Sequence, residues 1–216
     1  MSWPFVTREL TVVARRHVII PASIFHVVML TAFTLTWGLK LPILTGRSIY
    51  DILRLFQWAL LTALLPWVAA RCQAPDRGDA MVLLSTLAAR RPSSIVVAKS
   101  LSLAGVLALI PAAGLPAAIV AQKMSAVPIS AVVSDLAICC ALAWLASAVS
   151  VAWFLAGADA IVAWIAAAAT IAIACGAIYR WSSAPFVQAS AIAVIAVAVT
   201  TAVATWSDRA FQYCDE

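Results

Sequence analysis

Apolar residues occur along this chain in runs of about 20, and short stretches rich in charged residues, Gly or Pro separate the runs. A helix of about 20 apolar residues is long enough to cross the hydrocarbon core of a bilayer. The pattern predicts six such spans, at about residues 18–37, 52–70, 100–121, 129–154, 160–179 and 186–206. We therefore expect an all-α, polytopic membrane protein in which residues 1–216 form a single transmembrane domain.

The third predicted span contains two prolines and a glycine, Pro111, Pro116 and Gly114. A proline inside a helix removes one backbone hydrogen bond, and in lipid the freed carbonyl group needs a neighbouring helix or water as its partner. We therefore expect this span to be kinked or broken.

Two segments outside the spans are predicted to form further helices. In residues 4–17, Val6, Leu10 and Val13 fall on one helical face, and most of the charged residues lie away from that face. This pattern is typical of a helix that lies in the membrane interface, here called the elbow helix. The second segment, residues 71–99, connects the second and third spans and is predicted to lie in the cytoplasm.

The composition excludes a soluble domain, because 65% of the residues are hydrophobic, 11% are charged and the mean hydropathy is +1.04. The net charge of +5 arises from residues scattered at span ends, so it favours a lipid membrane over nucleic acid as the partner. With both termini in the cytoplasm, nine of the 14 Lys and Arg residues lie inside and five outside. The positive-inside bias therefore predicts cytoplasmic termini, and we expect a bacterial inner membrane. Aromatic residues near span ends, Tyr50 among them, fit interfacial belts.

Residues that could carry chemistry are sparse. The five cysteines form no CxxC pair and have no histidine at ligand spacing, so they predict neither a zinc site nor a disulfide framework. His26 has no second histidine with which to complete a bis-imidazole haem site. The sequence contains no Ser/His/Asp set and no GxxxxGK[ST] motif. We therefore expect that this chain is not an enzyme, holds no cofactor or metal, and does not itself bind ATP.

Polar side chains inside spans are candidates for function, because they are costly in lipid. Asp135 lies one or two turns inside the fourth span and should face the bundle interior, water or a partner chain. Gln57 lies in the second span, where it could line a transport pathway with Asp135 or form an interhelical hydrogen bond. Asp51 and Arg54 are three residues apart and are predicted to form a structural ion pair. Asp159 is predicted to cap the fifth span.

The segment of residues 76–99 has the pattern of an amphipathic helix followed by a re-entry into the membrane. Asp76 can cap this helix, and Met81, Leu84 and Leu87 repeat at a spacing of three residues. Two arginines then close its C-terminal end, where positive charge is favoured. The apolar face of a short cytoplasmic helix must be covered by lipid headgroups, by this chain or by another protein.

The order of an elbow helix, two spans, a cytoplasmic helix and a proline-bearing third span resembles the permease subunits of type-2 ABC exporters. In that family, the connection after the second span reads as an acidic residue, a Gly, a Leu-Leu pair, a corner of small residues with Pro or Arg, and an apolar run ending in Lys. The similar positions here are Asp76, Gly78, Leu83, Leu84, Ser85, Arg90, Arg91, Ile95, Val96 and Lys99. The chain departs from the pattern at Asp76, Asp79 and Leu87, where Glu, Thr and Pro are usual, and the resemblance extends over residues 4 to about 121.

The resemblance implies two permease subunits, identical or different, each with its cytoplasmic helix seated in a cleft of a separate nucleotide-binding ATPase subunit. ATP and Mg would bind to that partner. Nine residues of this chain would contact the ATPase and couple it to transport: Asp76, Gly78, Asp79, Met81, Leu83, Leu84, Leu87, Arg90 and Arg91. The implied function is that of the permease subunit of an ATP-driven transporter, of the exporter class, for a hydrophobic or amphipathic substrate or a peptide.

Two other functions are compatible with the sequence. The chain could be a non-transporting structural subunit of a larger respiratory or photosynthetic membrane complex, in which case it would co-purify with cofactor-bearing chains and no ATPase. It could also be a haem-exporter permease of cytochrome maturation, which is similar in length and span count, although no residue pattern here points to haem.

Overall fold

The computed structural model describes residues 17–40, 46–73, 92–125, 127–156, 159–181 and 184–212. Every regular element in these ranges is an α-helix. In chain order the helices are α1 Ile19–Lys40, α2 Gly46–Gln73, α3 Pro92–Leu107, α4 Leu109–Ala113, α5 Leu115–Ser125, α6 Ile129–Leu155, α7 Ala160–Trp181 and α8 Pro185–Gln212. The predicted elbow helix, except its last residue, and the nine predicted coupling residues lie outside the described residues.

Six helical stretches in the described part of the chain are long and apolar enough to cross a membrane. They are Ile19–Thr36, Tyr50–Gln73, Val96–Lys123, Ile129–Leu155, Ala160–Ile178 and Pro185–Ser207. The prediction of an all-helical fold is confirmed for the described residues, and each apolar run of the sequence corresponds to one of these six stretches. The third span is made of α3, α4 and α5 in succession.

Helix α6 lies at the centre of the bundle, where it packs against α2, α3, α7 and α8 and also contacts α4 and α5. About 67% of this span is buried, whereas at most 39% of any other span is. Small residues allow the neighbouring helices to approach α6 closely. The Ser147 hydroxyl group, for example, lies 3.0 Å from the Ser100 carbonyl oxygen of α3 and 2.8 Å from the Trp144 carbonyl oxygen of its own helix.

The third span is broken at Ala108 and Gly114, as its prolines predict. Pro111 is buried in α4, and the Gly114 N–H donates to the Pro111 carbonyl oxygen at 3.0 Å. Helix α1 packs directly onto this break. A Cβ atom on Gly114 would lie 2.8 Å from Leu30 Cδ1 and 2.9 Å from His26 Nε2, closer than van der Waals contact allows. A methyl group at this position would therefore displace the end of the Leu30 or His26 side chain.

Two further contacts fix the position of α2 against its neighbours. The rings of Phe33 on α1 and Phe56 on α2 stack with their centroids 4.3 Å apart and an interplanar angle of 8°. On the other side, the Trp164 indole N–H of α7 donates to the Ala63 carbonyl oxygen of α2 at 3.0 Å. Helix α2 is thus held between α1 and α7, with α6 packed beside it.

Candidate functional site: a polar cavity between three spans

A small cavity lies between α2, the broken third span and α6, and we call it the polar cavity. Its volume is about 20 Å³, just above the size that holds one water molecule. Four of its residues are polar or charged, and the remaining walls are apolar. The lining residues are Tyr50, Leu53, Arg54, Gln57, Pro111, Leu115, Ala118, Val132, Asp135 and Leu136.

The Asp135 carboxylate is the most deeply buried charged group of this cavity, and Asp135 as a whole is 7% exposed. The Tyr50 hydroxyl group of α2 donates a hydrogen bond of 2.6 Å to Asp135 Oδ2. Hydrogen bonds to ionised carboxylates are shorter and stronger than bonds between neutral groups. This bond therefore ties the first described turn of the second span to the fourth span.

Arg54 provides the positive charge of the polar cavity. Its Nη1 lies 3.9 Å from Asp135 Oδ1, so the two groups attract electrostatically without a direct hydrogen bond between these atoms. The guanidinium group also lies over the Trp58 ring, with Cζ 5.0 Å from the ring centroid, in the arrangement of a cation–π interaction. A charged residue within a membrane span is costly, and both of these contacts offset part of that cost.

Helical periodicity places these side chains together. Tyr50, Arg54 and Gln57 follow one another at i, i+4 and i+7 on α2, so they lie on one face of the helix. Asp135 lies on α6 at the level where that face of α2 packs against it, with Val132 beside it in the cavity wall. The third span closes the remaining side with residues from both sides of its break at Gly114.

The two predicted pathway candidates, Asp135 and Gln57, line the same cavity. Asp135 faces the bundle interior, as its cost in lipid requires. The predicted Asp51–Arg54 ion pair is wrong: the Asp51 side chain is exposed, and Arg54 instead pairs with Asp135 on another span. Arg54 pairs with the buried Asp135 rather than with Asp51, three residues away, because charge attraction is stronger where water is excluded.

Tyr50 was not expected at a site, since its place near a span end suggested an interfacial belt. It is 4% exposed and lies inside the bundle. Its spacing from Arg54 and Gln57 is the signal in the sequence that indicates this position. Asp159 immediately precedes α7 as expected, and its carbonyl oxygen accepts the Ala163 N–H at 2.7 Å.

His26 is fully buried on α1, and neither of its ring nitrogens has a hydrogen-bond partner in the part of the chain that the structure describes. Four cysteines in the described residues form no disulfide bond: Cys72, Cys139, Cys140 and Cys175. No group of three or more His, Cys, Asp or Glu side chains comes together within the described ranges in a way that could hold a metal ion.

A second cavity, of about 30 Å³, has Trp58 in its wall, and we call it the apolar cavity. Its walls come from α2, α6, α7 and α8 and are mostly hydrocarbon. The lining residues are Trp58, Thr62, Ile138, Leu142, Cys175, Ile178, Gln188 and Ile192. The polar and apolar cavities are therefore similar in size and opposite in polarity.

Comparison of the chain with known protein families, with curated proteins and with solved structures gave no match.

Proposed function

We propose that this chain is the membrane-spanning permease subunit of an ATP-driven ABC transporter, of the exporter class. In this proposal it assembles with a second permease subunit and with a separate ATPase subunit that binds ATP and Mg. It forms the translocation path and has no catalytic role of its own. The membrane would be the bacterial inner membrane, with both termini in the cytoplasm.

The observation that carries the proposal is the Arg54–Asp135 pair inside a six-span bundle. Ionisable residues within spans are rare, and those that occur commonly mark the paths of substrates and ions. Here the pair lies on a cavity rather than in close-packed hydrocarbon. A transport path accounts for a cavity with charged walls, whereas a purely structural subunit is served equally well by apolar packing.

The break in the third span supports the same function. The polar cavity has one wall formed by Pro111, Leu115 and Ala118, which lie on both sides of Gly114. Broken helices next to binding sites allow one part of a span to move while the rest stays packed. In the proposed cycle, closure of the ATPase subunits pushes on residues 76–92, and this push is transmitted to the third span, which begins directly after them.

The proposal is tested by gentle detergent extraction of the chain from its native membrane, followed by mass spectrometry of the proteins that co-purify. We expect a separate ATPase with a Walker motif, and ATP hydrolysis in the purified complex. Co-purification with cofactor-bearing chains and without any ATPase would overturn the proposal and would favour a structural subunit of a respiratory or photosynthetic complex.

A further inference from the structure

Two buried polar atoms of the polar cavity residues have no hydrogen-bond partner in the part of the chain that the structure describes. Asp135 Oδ1 and Arg54 Nε are inaccessible to solvent, and neither has a hydrogen-bond partner among the described residues. A buried donor or acceptor without a partner costs about 1–3 kcal/mol, and more when the group is charged. The two atoms, one acceptor and one donor, belong to side chains that line the same small cavity.

The two side chains approach each other without a direct hydrogen bond between the atoms that lie nearest. Asp135 Oδ1 lies 3.9 Å from Arg54 Nη1, which is too long for a direct hydrogen bond. The cavity of about 20 Å³ admits one group the size of a water molecule. The Gln57 side chain also lines the cavity and offers a further polar neighbour. A small bound group would thus find the two to four polar contacts that an internal water molecule needs.

The chemistry of the two atoms restricts what this group can be. It must donate a hydrogen bond to a carboxylate oxygen and accept one from a guanidinium N–H. A hydroxyl group does both. An ammonium group has no lone pair with which to accept from Arg54, and an ionised carboxylate has no proton to donate to Asp135.

We infer that the polar cavity is a binding site for a single hydroxyl group, which donates to Asp135 Oδ1 and accepts from Arg54 Nε. The hydroxyl group belongs either to a water molecule or to an amphipathic molecule whose apolar part lies between the helices. The inference stands apart from the proposed transport function, because it depends only on the side chains of α2 and α6 that meet at the cavity.

The apolar cavity provides a control within the same molecule. Its volume of about 30 Å³ is similar. The Thr62 hydroxyl group donates to the Trp58 carbonyl oxygen of its own helix at 2.8 Å, and Gln188 also has a partner. The remaining polar group of these walls, the Trp58 indole N–H, is a single donor, whereas an internal water molecule needs two to four polar partners, so no hydroxyl group is expected there.

X-ray radiolysis footprinting with mass spectrometry tests the inference on the intact protein in phosphatidylcholine nanodiscs. Radicals formed from bound water oxidise the side chains next to it. Leu53 lines the polar cavity and Leu142 the apolar one, and these leucines are matched in burial at 3% and 2% exposure. We expect Leu53 to be oxidised several-fold faster than Leu142. Equal rates would overturn the inference.

A triple variant, Tyr50→Phe with Arg54→Leu and Asp135→Leu, removes the hydroxyl and charged groups of the cavity together, so that no charge is left unpaired. We expect the oxidation rate of Leu53 in this variant to fall to that of Leu142. A rate that stays high would show that bulk water reaches Leu53 by another route, and the inference would then be wrong. If the variant does not fold, the comparison of the two leucines in the unaltered protein decides alone.

The lipid distinguishes the two sources of the hydroxyl group. Phosphatidylglycerol carries hydroxyl groups in its headgroup, whereas phosphatidylcholine carries none. If a lipid hydroxyl group binds in the cavity, Leu53 oxidation falls in phosphatidylglycerol nanodiscs, and native mass spectrometry detects a retained lipid. If water is the occupant, the oxidation rate of Leu53 is the same in both lipids. Either result is compatible with a hydroxyl site.

Discussion

The Tyr50 hydroxyl group donates a hydrogen bond of 2.6 Å to the Asp135 carboxylate, and this bond joins two spans whose residues are 85 positions apart in the chain. Both residues are buried, at 4% and 7% exposure. The bond fixes one oxygen of the carboxylate and leaves the other, Oδ1, directed to the charge of Arg54. One short contact therefore orients the acidic side chain of the polar cavity.

Replacement of Tyr50 by Phe removes only the hydroxyl group of this bond. We expect Tyr50→Phe to lower the free energy of unfolding in bicelles by about 0.6–1.7 kcal/mol, the range measured for hydrogen bonds between membrane helices. Steric trapping gives this free energy directly. In an Asp135→Leu background the same substitution should cost nothing further, and an equal cost in both backgrounds would show that the bond contributes no stability.

Removal of one member of the Arg54–Asp135 pair leaves the other charge buried alone. We expect Arg54→Leu and Asp135→Leu each to lower the free energy of unfolding. The sum of these two costs should exceed the cost of the double variant. Removal of one partner from a fully buried ion pair costs about 3–5 kcal/mol. The cost of each single substitution should lie below this range, because 22% of the Arg54 side chain is exposed. A double-mutant cycle measures the coupling. Strictly additive costs would mean that the two charges do not interact.

Gly114 and Gly176 form a matched pair for testing the contact between α1 and the broken third span. A Cβ atom on Gly114 meets His26 and Leu30, whereas nothing lies within 4 Å of one on Gly176. We expect Gly114→Ala to destabilise by about 1–3 kcal/mol through overpacking. Gly176→Ala should be neutral or stabilise by roughly 0.5–1 kcal/mol, because alanine favours a helix.

The same unfolding measurement in a Leu30→Ala background checks the cause. The smaller side chain leaves space for the new methyl group, so part of the cost of Gly114→Ala should disappear. If Gly114→Ala and Gly176→Ala change the free energy of unfolding equally in the unaltered chain, α1 does not pack closely against the break.

Ser147 tests the close approach of α3 to the central helix. This residue is fully buried, and its hydroxyl group lies 3.0 Å from the Ser100 carbonyl oxygen. We expect Ser147→Leu to push α3 away from α6 and to lower the folded yield in detergent, measured by size-exclusion chromatography. Ser130→Leu, at an exposed position near the start of α6, is the control and should leave the yield unchanged. Equal yields would mean that the two helices are not closely packed at Ser147.

The coupling segment is tested by substitutions that leave the spans intact. In the proposed complex, Leu84→Asp places a charge on the apolar face of the cytoplasmic helix, and Arg90→Glu reverses a charge at its end. We expect either substitution to abolish co-purification of the ATPase, or to uncouple ATP hydrolysis from transport, while insertion into the membrane stays normal. Leu84→Met preserves the apolar face and serves as control. Unchanged assembly and transport in both charged variants would contradict the proposal.

The six spans could be predicted from the sequence because membrane crossing is a local property of about 20 apolar residues. The break in the third span could be predicted for the same reason, since Pro111 affects the backbone of its own helix. In contrast, the partner of Arg54 could not be derived from spacing. Helical spacing indicated Asp51, but which distant residue faces Arg54 depends on how α2 and α6 pack.

The polar cavity was predictable only in part. The cost of a carboxylate in lipid indicated that Asp135 faces inward, and the i, i+4, i+7 spacing was available to link Tyr50 with Arg54 and Gln57. That α1 rests on Gly114, with His26 against the break, follows from the tertiary arrangement alone. The sequence around a glycine in an apolar run does not indicate which helix packs against it.

The central position of α6 determines how the protein responds to the thickness of its bilayer. The outermost spans, α1, α7 and α8, are each only 22% buried, so a thinner or thicker bilayer acts first on them and is accommodated by their tilt. Helix α6 is surrounded by protein and is held in place by its neighbours. Tilting of α1 would change its contact with the chain at Gly114. This change would move the part of the third span that lines the polar cavity. The lipid composition of the host membrane can in this way adjust the shape of a site that lies within the bundle.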